Sequence, residues 1–167
     1  VAVPHRQAQR RPGETARAAA AREAAEQALA ACGVEPAAVG TLVRDCGFGS
    51  PEAQARISDV MTGAGAVLQH LNPDTDLVDL AGPLGDLGAN TVSTSLLMAA
   101  WFAHQRNKPA LYVSVADPAA ARALLVLPPP GHVAPAPRTR YPEARHGSQW
   151  YAAWWGKRLD GLKDFED

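Results

Sequence analysis

Apolar and polar positions follow two rhythms along this chain, and the changes between them mark its elements. Residues 15–31 are dominated by alanine, with Arg22, Glu23, Glu26 and Gln27 among them. This is helix-forming composition, and Gly33 after Cys32 predicts the stop. Residues 40–45 (Gly-Thr-Leu-Val-Arg-Asp) read as a short strand. Ser50-Pro51-Glu52 then opens a second helix with a serine cap, a proline in the first turn and an acid at the positive end. That helix is predicted to run to about His70. Asn72-Pro73-Asp74 marks a turn, residues 76–80 a second strand, and residues 82–88 a glycine-rich loop. Residues 89–106 form a helix that is apolar on several faces through Leu96, Leu97, Met98, Trp101 and Phe102, which predicts burial between layers. Residues 110–116 alternate, with Leu111, Val113 and Val115 on one face. Asp117-Pro118 makes a turn, and residues 122–127 supply a last strand near enough to be a hairpin partner. Val1-Ala2-Val3 reads as the end of a strand, followed by a polar, basic loop to Gly13.

Helices alternating with strands, and a closing pair of strands, predict an α/β fold. The expected architecture is a layered mixed sheet, mostly parallel, with one antiparallel member. The composition changes at Pro128: six of the 15 residues from 128 to 142 are proline, so this stretch is expected to be extended and outside any central strand. The predicted organisation is an α/β domain at 1–127, a proline-rich linker at 128–148 and an aromatic C-terminal extension at 149–167.

Charge and cysteine usage narrow the function classes. The chain has 167 residues with 16 basic and 17 acidic side chains, a formal net charge of −1. That balance gives no electrostatic reason to expect a nucleic-acid partner. No apolar run reaches the roughly 18 residues of a membrane span, and no signal peptide is visible. The expected location is the cytoplasm. The periplasm is the alternative, because the chain begins at Val1 without a methionine. Cys32 and Cys46 form neither a disulfide framework nor a zinc-ligand spacing. His70 and His104 fall near helix C-termini, and none of the histidines stands at ligand spacing from another His or Cys. No metal and no cofactor are expected.

Two segments have the form of active-site loops: Asp45-Cys46-Gly47-Phe48-Gly49-Ser50-Pro51 and Pro83-Leu84-Gly85-Asp86-Leu87-Gly88-Ala89. Each lies where an extended run gives way to a helix, with glycines where a backbone could approach a ligand closely. The second lacks the lysine of a P-loop and the dinucleotide-binding spacing. Cys46 could be a nucleophile at a strand end, but without a nearby histidine in sequence it reads as a small buried filler. Asp86, with Asp76 and Asp79, reads as a cap and two solvated strand ends rather than a general base.

The order of these elements, with Ala31-Cys32-Gly33-Val34-Glu35-Pro36 between the first helix and the next strand, resembles the C-terminal half of a thiolase-like fold, nearest to the β-ketoacyl synthases. The resemblance covers roughly residues 1–127. In that family a histidine followed by glycine ends the strand, and Cys46-Gly47 occupies that place here. A second histidine sits in a Gly-His-x-x-Gly-Ala loop, which Gly85-Asp86-Leu87-Gly88-Ala89 resembles, one residue shorter. Cys46 is a poor donor, and Asp86 at neutral pH would accept rather than donate and would repel an oxyanion. The family's cysteine nucleophile lies in an N-terminal half that this chain does not contain. The resemblance therefore implies the fold and argues against the activity, leaving Cys46 and Asp86 as degenerate active-site positions.

The stretch from Asp79 to Ala89 and the tail Trp154-Trp155-Gly156-Lys157-Arg158-Leu159-Asp160-Gly161 are also similar to a narrower group, the adaptors that load lipase toxins onto type VI secretion machinery. That similarity implies a bacterial virulence-related, non-enzymatic protein with a toxin partner. Trp150, Trp154, Leu159 and Leu162 approximate one helical stripe, with Tyr151 and Trp155 adjoining. Such a stripe must be covered, by its own domain, an upstream domain, a partner or a membrane surface, the last disfavoured by its few cations. On the partner reading, Trp150, Tyr151, Trp154 and Trp155 are the anchors. The expected function is a catalytically dead protein-binding scaffold. The competing readings are half of an acyl-transfer enzyme and an acyl or acyl-carrier binding module.

Overall fold

A computed structural model describes residues 1–47, 49–79 and 90–134. Asp86 and the aromatic residues Trp150, Tyr151, Trp154 and Trp155 lie outside the described residues.

Each helix begins and ends where local chemistry provides for it. Helix α1 (Ala16–Cys32) starts on Thr15, whose hydroxyl accepts from the Ala18 amide, and stops at Gly33, held at φ 63°. Only glycine takes that left-handed conformation without a steric cost. Helix α2 (Pro51–Thr62) starts on Ser50, whose Oγ accepts from the Ala53 amide at 3.1 Å, with Pro51 and Glu52 in its first turn. It does not run on to His70. It stops at Gly63 and a four-residue helix α3 (Ala64–Val67) follows. The reason is a close approach: a Cβ at position 63 would run into the Ala18 carbonyl of α1. Gly63 takes φ −87°, ψ −85°, which breaks the helical ladder and lets the two helices touch. His70 then caps a different element, donating from Nε2 to the Val39 carbonyl at 2.8 Å.

Five strands form one mixed sheet: β1 (Ala2–Pro4), β2 (Thr41–Asp45), β3 (Leu77–Asp79), β4 (Ala110–Ser114) and β5 (Ala120–Val126), in the order β1-β5-β4-β2-β3. β2 pairs in parallel with β3 and β4, and β5 pairs antiparallel with β4 and β1. Four strands therefore point one way and β5 alone runs against them. The expected alternation of residues 110–116 is not what places β4. All five of its residues are buried, because it is the central strand and is covered on both faces. β5 alternates instead: Ala121 and Ala123 are buried, while Arg122 and Leu124 are exposed.

Helices α1, α2 and α3 cover one face, with Val3, Leu42, Leu111, Val113, Ala121 and Ala123 beneath them. The last described helix, α4 (Thr91–Arg106), lies on the other face, over β2 and β4, where Ala99 and Ala103 meet Val43, Ala110 and Tyr112. It is not buried between layers as its composition predicts. Leu97 is 70% exposed, Trp101 50% and Val92 46%. Its inward stripe is Ser95, Ala99 and Ala103, small residues that let the helix settle close to the sheet. Leu96 still packs against that cluster, but Leu97 and Trp101 are left on the outward side.

The chain past β5 does not simply extend. His132 donates its backbone amide to Pro129 at 3.0 Å around Gly131 at φ 72°, making a turn. The His132 ring stacks on His104 with centroids 4.1 Å apart, and its Nε2 donates to the His104 carbonyl at 2.7 Å. The compact unit that these residues form spans Val1–Ala134. No helix among the described residues is long and apolar enough to cross a membrane.

Candidate functional site

Ligands of open α/β sheets bind outside the carboxyl ends of the parallel strands. Here those ends belong to β2, β3 and β4, and they bring Asp45, Cys46, Asp79, Tyr112 and Ser114 to one rim of the sheet.

Asp45 is the last residue of β2 and lies across from Ser114 in the parallel register. The Ser114 hydroxyl donates to its carboxylate at 3.4 Å, and both residues are buried. Tyr112 shares this face of β4, one alternation back, and is also buried. Burial pushes its phenol up to about 12, and the negative charge of Asp45 adds to the effect. Among the described residues the Ser95 hydroxyl on the inward side of α4 has no hydrogen-bond partner, while the Tyr112 hydroxyl faces Ser114 and Asp45, both of which act on it. Tyr112 is thus a neutral phenol at any physiological pH.

Cys46 follows Asp45 and points to the opposite face, into the core under α1, α2 and α3, where it is fully buried. Burial raises its thiol to about 12, and the charge of Asp79 contributes in the same direction. The thiolate is the nucleophilic form, so this side chain is held in its inert state. Cys32, by contrast, is exposed at the end of α1. Beside Cys46, Arg44 of β2 and Asp79 of β3 are register partners joined by a 3.1 Å ion pair. The loop after Cys46 needs its glycines: Gly47 and Gly49 sit at φ 78° and 74°.

The N-terminus of α2 adjoins this rim, but its own acid occupies the positive end. Glu52 accepts from Arg17 at 2.6 Å and is held below the usual carboxylate range by that bond. Arg17 also reaches Asp59, whose other oxygen accepts from Thr15. These bonds tie α1 to α2.

Two concavities lie away from the rim. One, about 150 Å³, is apolar and is lined by Leu42, Met61, Leu68, Leu71 and Leu77 beside β3. The other, about 510 Å³, is an open polar cleft between the loop before α1 and α1 itself, lined by Gln9, Arg11, Arg22, Glu23 and Glu26. Arg22 dominates it. Only 5% exposed, it binds Glu14 at 3.0 Å, Glu26 at 3.2 Å and the Gln9 carbonyl at 2.7 Å. This cluster clamps the loop onto the helix. Among the described residues, no group of three or more His, Cys, Asp or Glu could hold a metal ion.

Of the positions singled out from the sequence, the structure places Cys46 beneath the rim, with its thiol turned into the core. Asp86 lies outside the described residues. Tyr112, Ser114 and the buried state of Asp45 were not legible. Tyr112 and Ser114 do alternate with Leu111 and Val113, so a polar second face of that strand was available as a signal. Their meeting with Asp45 depends on pairing across β2 and β4, which no local pattern encodes. No protein-family model, curated protein or solved structure matches this chain.

Proposed function

We propose that this chain is a non-catalytic protein-binding scaffold, and that its partner is a secreted lipase toxin loaded onto a type VI secretion machine. One observation carries the first half of this reading: Cys46, at the end of the strand where a reactive group would stand, is fully buried and its thiol is raised to about 12. A buried neutral thiol neither attacks a thioester nor donates well to one. The order α1, β2, α2, α3, β3, α4 supports the thiolase-like resemblance that frames Cys46 and Asp86 as degenerate positions. The lipase-adaptor step rests on the similarity of the 79–89 stretch and the tryptophan tail. On this reading Trp150, Tyr151, Trp154 and Trp155 anchor the partner, loading takes place in the cytoplasm, and no cofactor takes part.

The test pairs binding with chemistry. The intact chain is co-purified with the secreted lipases of its source organism. In parallel, free-thiol release from acyl thioesters and the reaction of Cys46 with a thiol reagent are followed. The expected result is a lipase retained in fixed stoichiometry, no thioester turnover, and modification confined to Cys32 in the native chain. Thioester turnover, or retention of an acyl carrier protein in place of a lipase, overturns the reading and favours the acyl-handling alternatives.

A further inference from the structure

The apolar cavity beside β3 is a space that the local sequence keeps open. Leu42 of β2 and Leu77 of β3, register partners in a parallel pair, line it from the sheet. Leu68 and Leu71 line it from the turn after α3, and Met61 and Gly65 from α2 and α3. Every lining residue is among those described. Its volume of about 150 Å³ is large for a protein interior, where few voids exceed a single water molecule.

Gly65 has no conformational reason to be glycine. It lies within α3, and its φ is outside the left-handed region. A glycine inside a helix is less favourable than an alanine. A Cβ at position 65 would stand 3.2 Å from the Met61 methyl group. An alanine here would therefore have to displace Met61, the unbranched and adaptable side chain in the wall. Glycine at 65 leaves that wall in place and the space beside it open.

The lining decides what can enter. None of the lining residues is charged, so a carboxylate or an ammonium group would lose its hydration without gaining a counter-charge. Two backbone carbonyls at the site are already taken: Gly65 accepts from the Leu68 amide at 3.1 Å and Leu68 from the Leu71 amide at 3.0 Å. A trapped water needs several polar partners, and Gln69 is the one polar side chain in the lining. An apolar cavity of about 150 Å³ stays dry and accepts a guest the size of benzene. Gln69 and Pro73 are its exposed lining residues, which places the opening beside them.

We propose that this cavity is a binding site for a small, uncharged apolar molecule about the size of a benzene ring, which enters past Gln69 and Pro73 and packs on Met61 and the four leucines. The site lies on the α1 face at the β3 edge of the sheet. The inference goes beyond the protein-binding reading and does not depend on it.

The test is a titration of the full chain with benzene, read from the ε-methyl resonances of its two methionines. Met61 is assigned by its loss in Met61→Leu, and Met98, on α4 over the opposite face, is the internal reference. The expected result is a saturable shift of the Met61 methyl with Met98 unmoved, and no shift of either with benzoate or benzylammonium at the same concentrations. Gly65→Ala is expected to weaken benzene binding roughly tenfold or more by crowding Met61, while the melting temperature holds or rises. Leu71→Phe, at a half-buried position, is expected to abolish binding by filling the space, with circular dichroism unchanged. A Met61 methyl that does not respond to benzene overturns the proposal and shows the space closed in the full chain. An equal response to the charged analogues, a Met98 shift that follows the Met61 shift, or benzene binding unchanged by both Gly65→Ala and Leu71→Phe overturns it as well. The scaffold reading stands or falls separately, on lipase capture and thioester turnover.

Discussion

The two faces of this sheet use small residues to opposite ends. On the α1 face, alanines surround the helix on nearly every side. Ala18, Ala19, Ala20, Ala21, Ala24 and Ala25 are all fully buried, beneath the sheet-facing core and the Arg22 clamp alike. Small side chains there let α1, α2 and α3 approach until Gly63 meets the Ala18 carbonyl. On the α4 face the same economy acts on one stripe only. Ser95, Ala99 and Ala103 bring the helix down onto β2 and β4, and Leu97 and Trp101 are left facing out. Among the described residues, the α1 face encloses its apolar side chains, while the α4 face leaves Leu97 and Trp101 exposed. The comparison teaches that high apolar content in a helix does not mean that the helix is covered, because the size of the inward residues decides which way the large ones point.

The sharpest way to break the comparison is to disturb its tightest contact. Gly63→Val is expected to cost about 3 kcal/mol or more, since overpacking against backbone cannot be relieved by a rotamer change. A loss below about 1 kcal/mol in chemical denaturation would mean that α1 and the α2–α3 pair are not in close contact. Next is a leucine from each face. Leu111, fully buried under α1, is expected to lose about 3 kcal/mol on truncation to alanine. Leu124→Ala, nearly half exposed, is expected to lose less than about 1 kcal/mol. Similar losses at the two positions would show both faces equally covered in solution.

A further test concerns the clamp on the outer side of α1. Arg22 holds Glu14 through a side-chain hydrogen bond and its charge, and the Glu14 carboxyl is thereby lowered from 4.5. A carboxyl lowered on folding contributes stability that is complete above its unfolded value and is lost as pH falls through the folded one. Melting temperature is therefore expected to hold between pH 7 and 5 and to fall below about pH 4.5. Arg22→Met removes the partner and flattens that component of the fall. It is expected to cost about 2 kcal/mol at neutral pH, below the range for deeply buried pairs because this one lies under a single loop. A pH profile unchanged by Arg22→Met would show that the cluster is not formed in solution.

What the sequence determined by itself is the set of local decisions. Gly33, Ser50 and Pro51 set helix ends through bonds or dihedral preferences that span a few residues, and they act as read; Thr15, counted in the helix from the sequence, is its cap instead. The strands at 41–45, 77–79, 110–114 and 120–126 were legible for the same reason, as was the hairpin of the last two. What tertiary structure decided spans the chain. The end of α2 at Gly63 follows from a backbone 45 residues earlier, and no periodicity within the helix announces it. The pairing of Asp45 with Ser114 follows from a register between strands 69 residues apart. The outward turn of Leu97 and Trp101 follows from which stripe of α4 fits the sheet most closely. The burial of Cys46, which governs its chemistry, exists only once three helices have closed over β2. Local geometry is written in neighbouring residues. Solvation and reactivity belong to the assembled layers, because water is excluded by surfaces that meet only after the chain has folded.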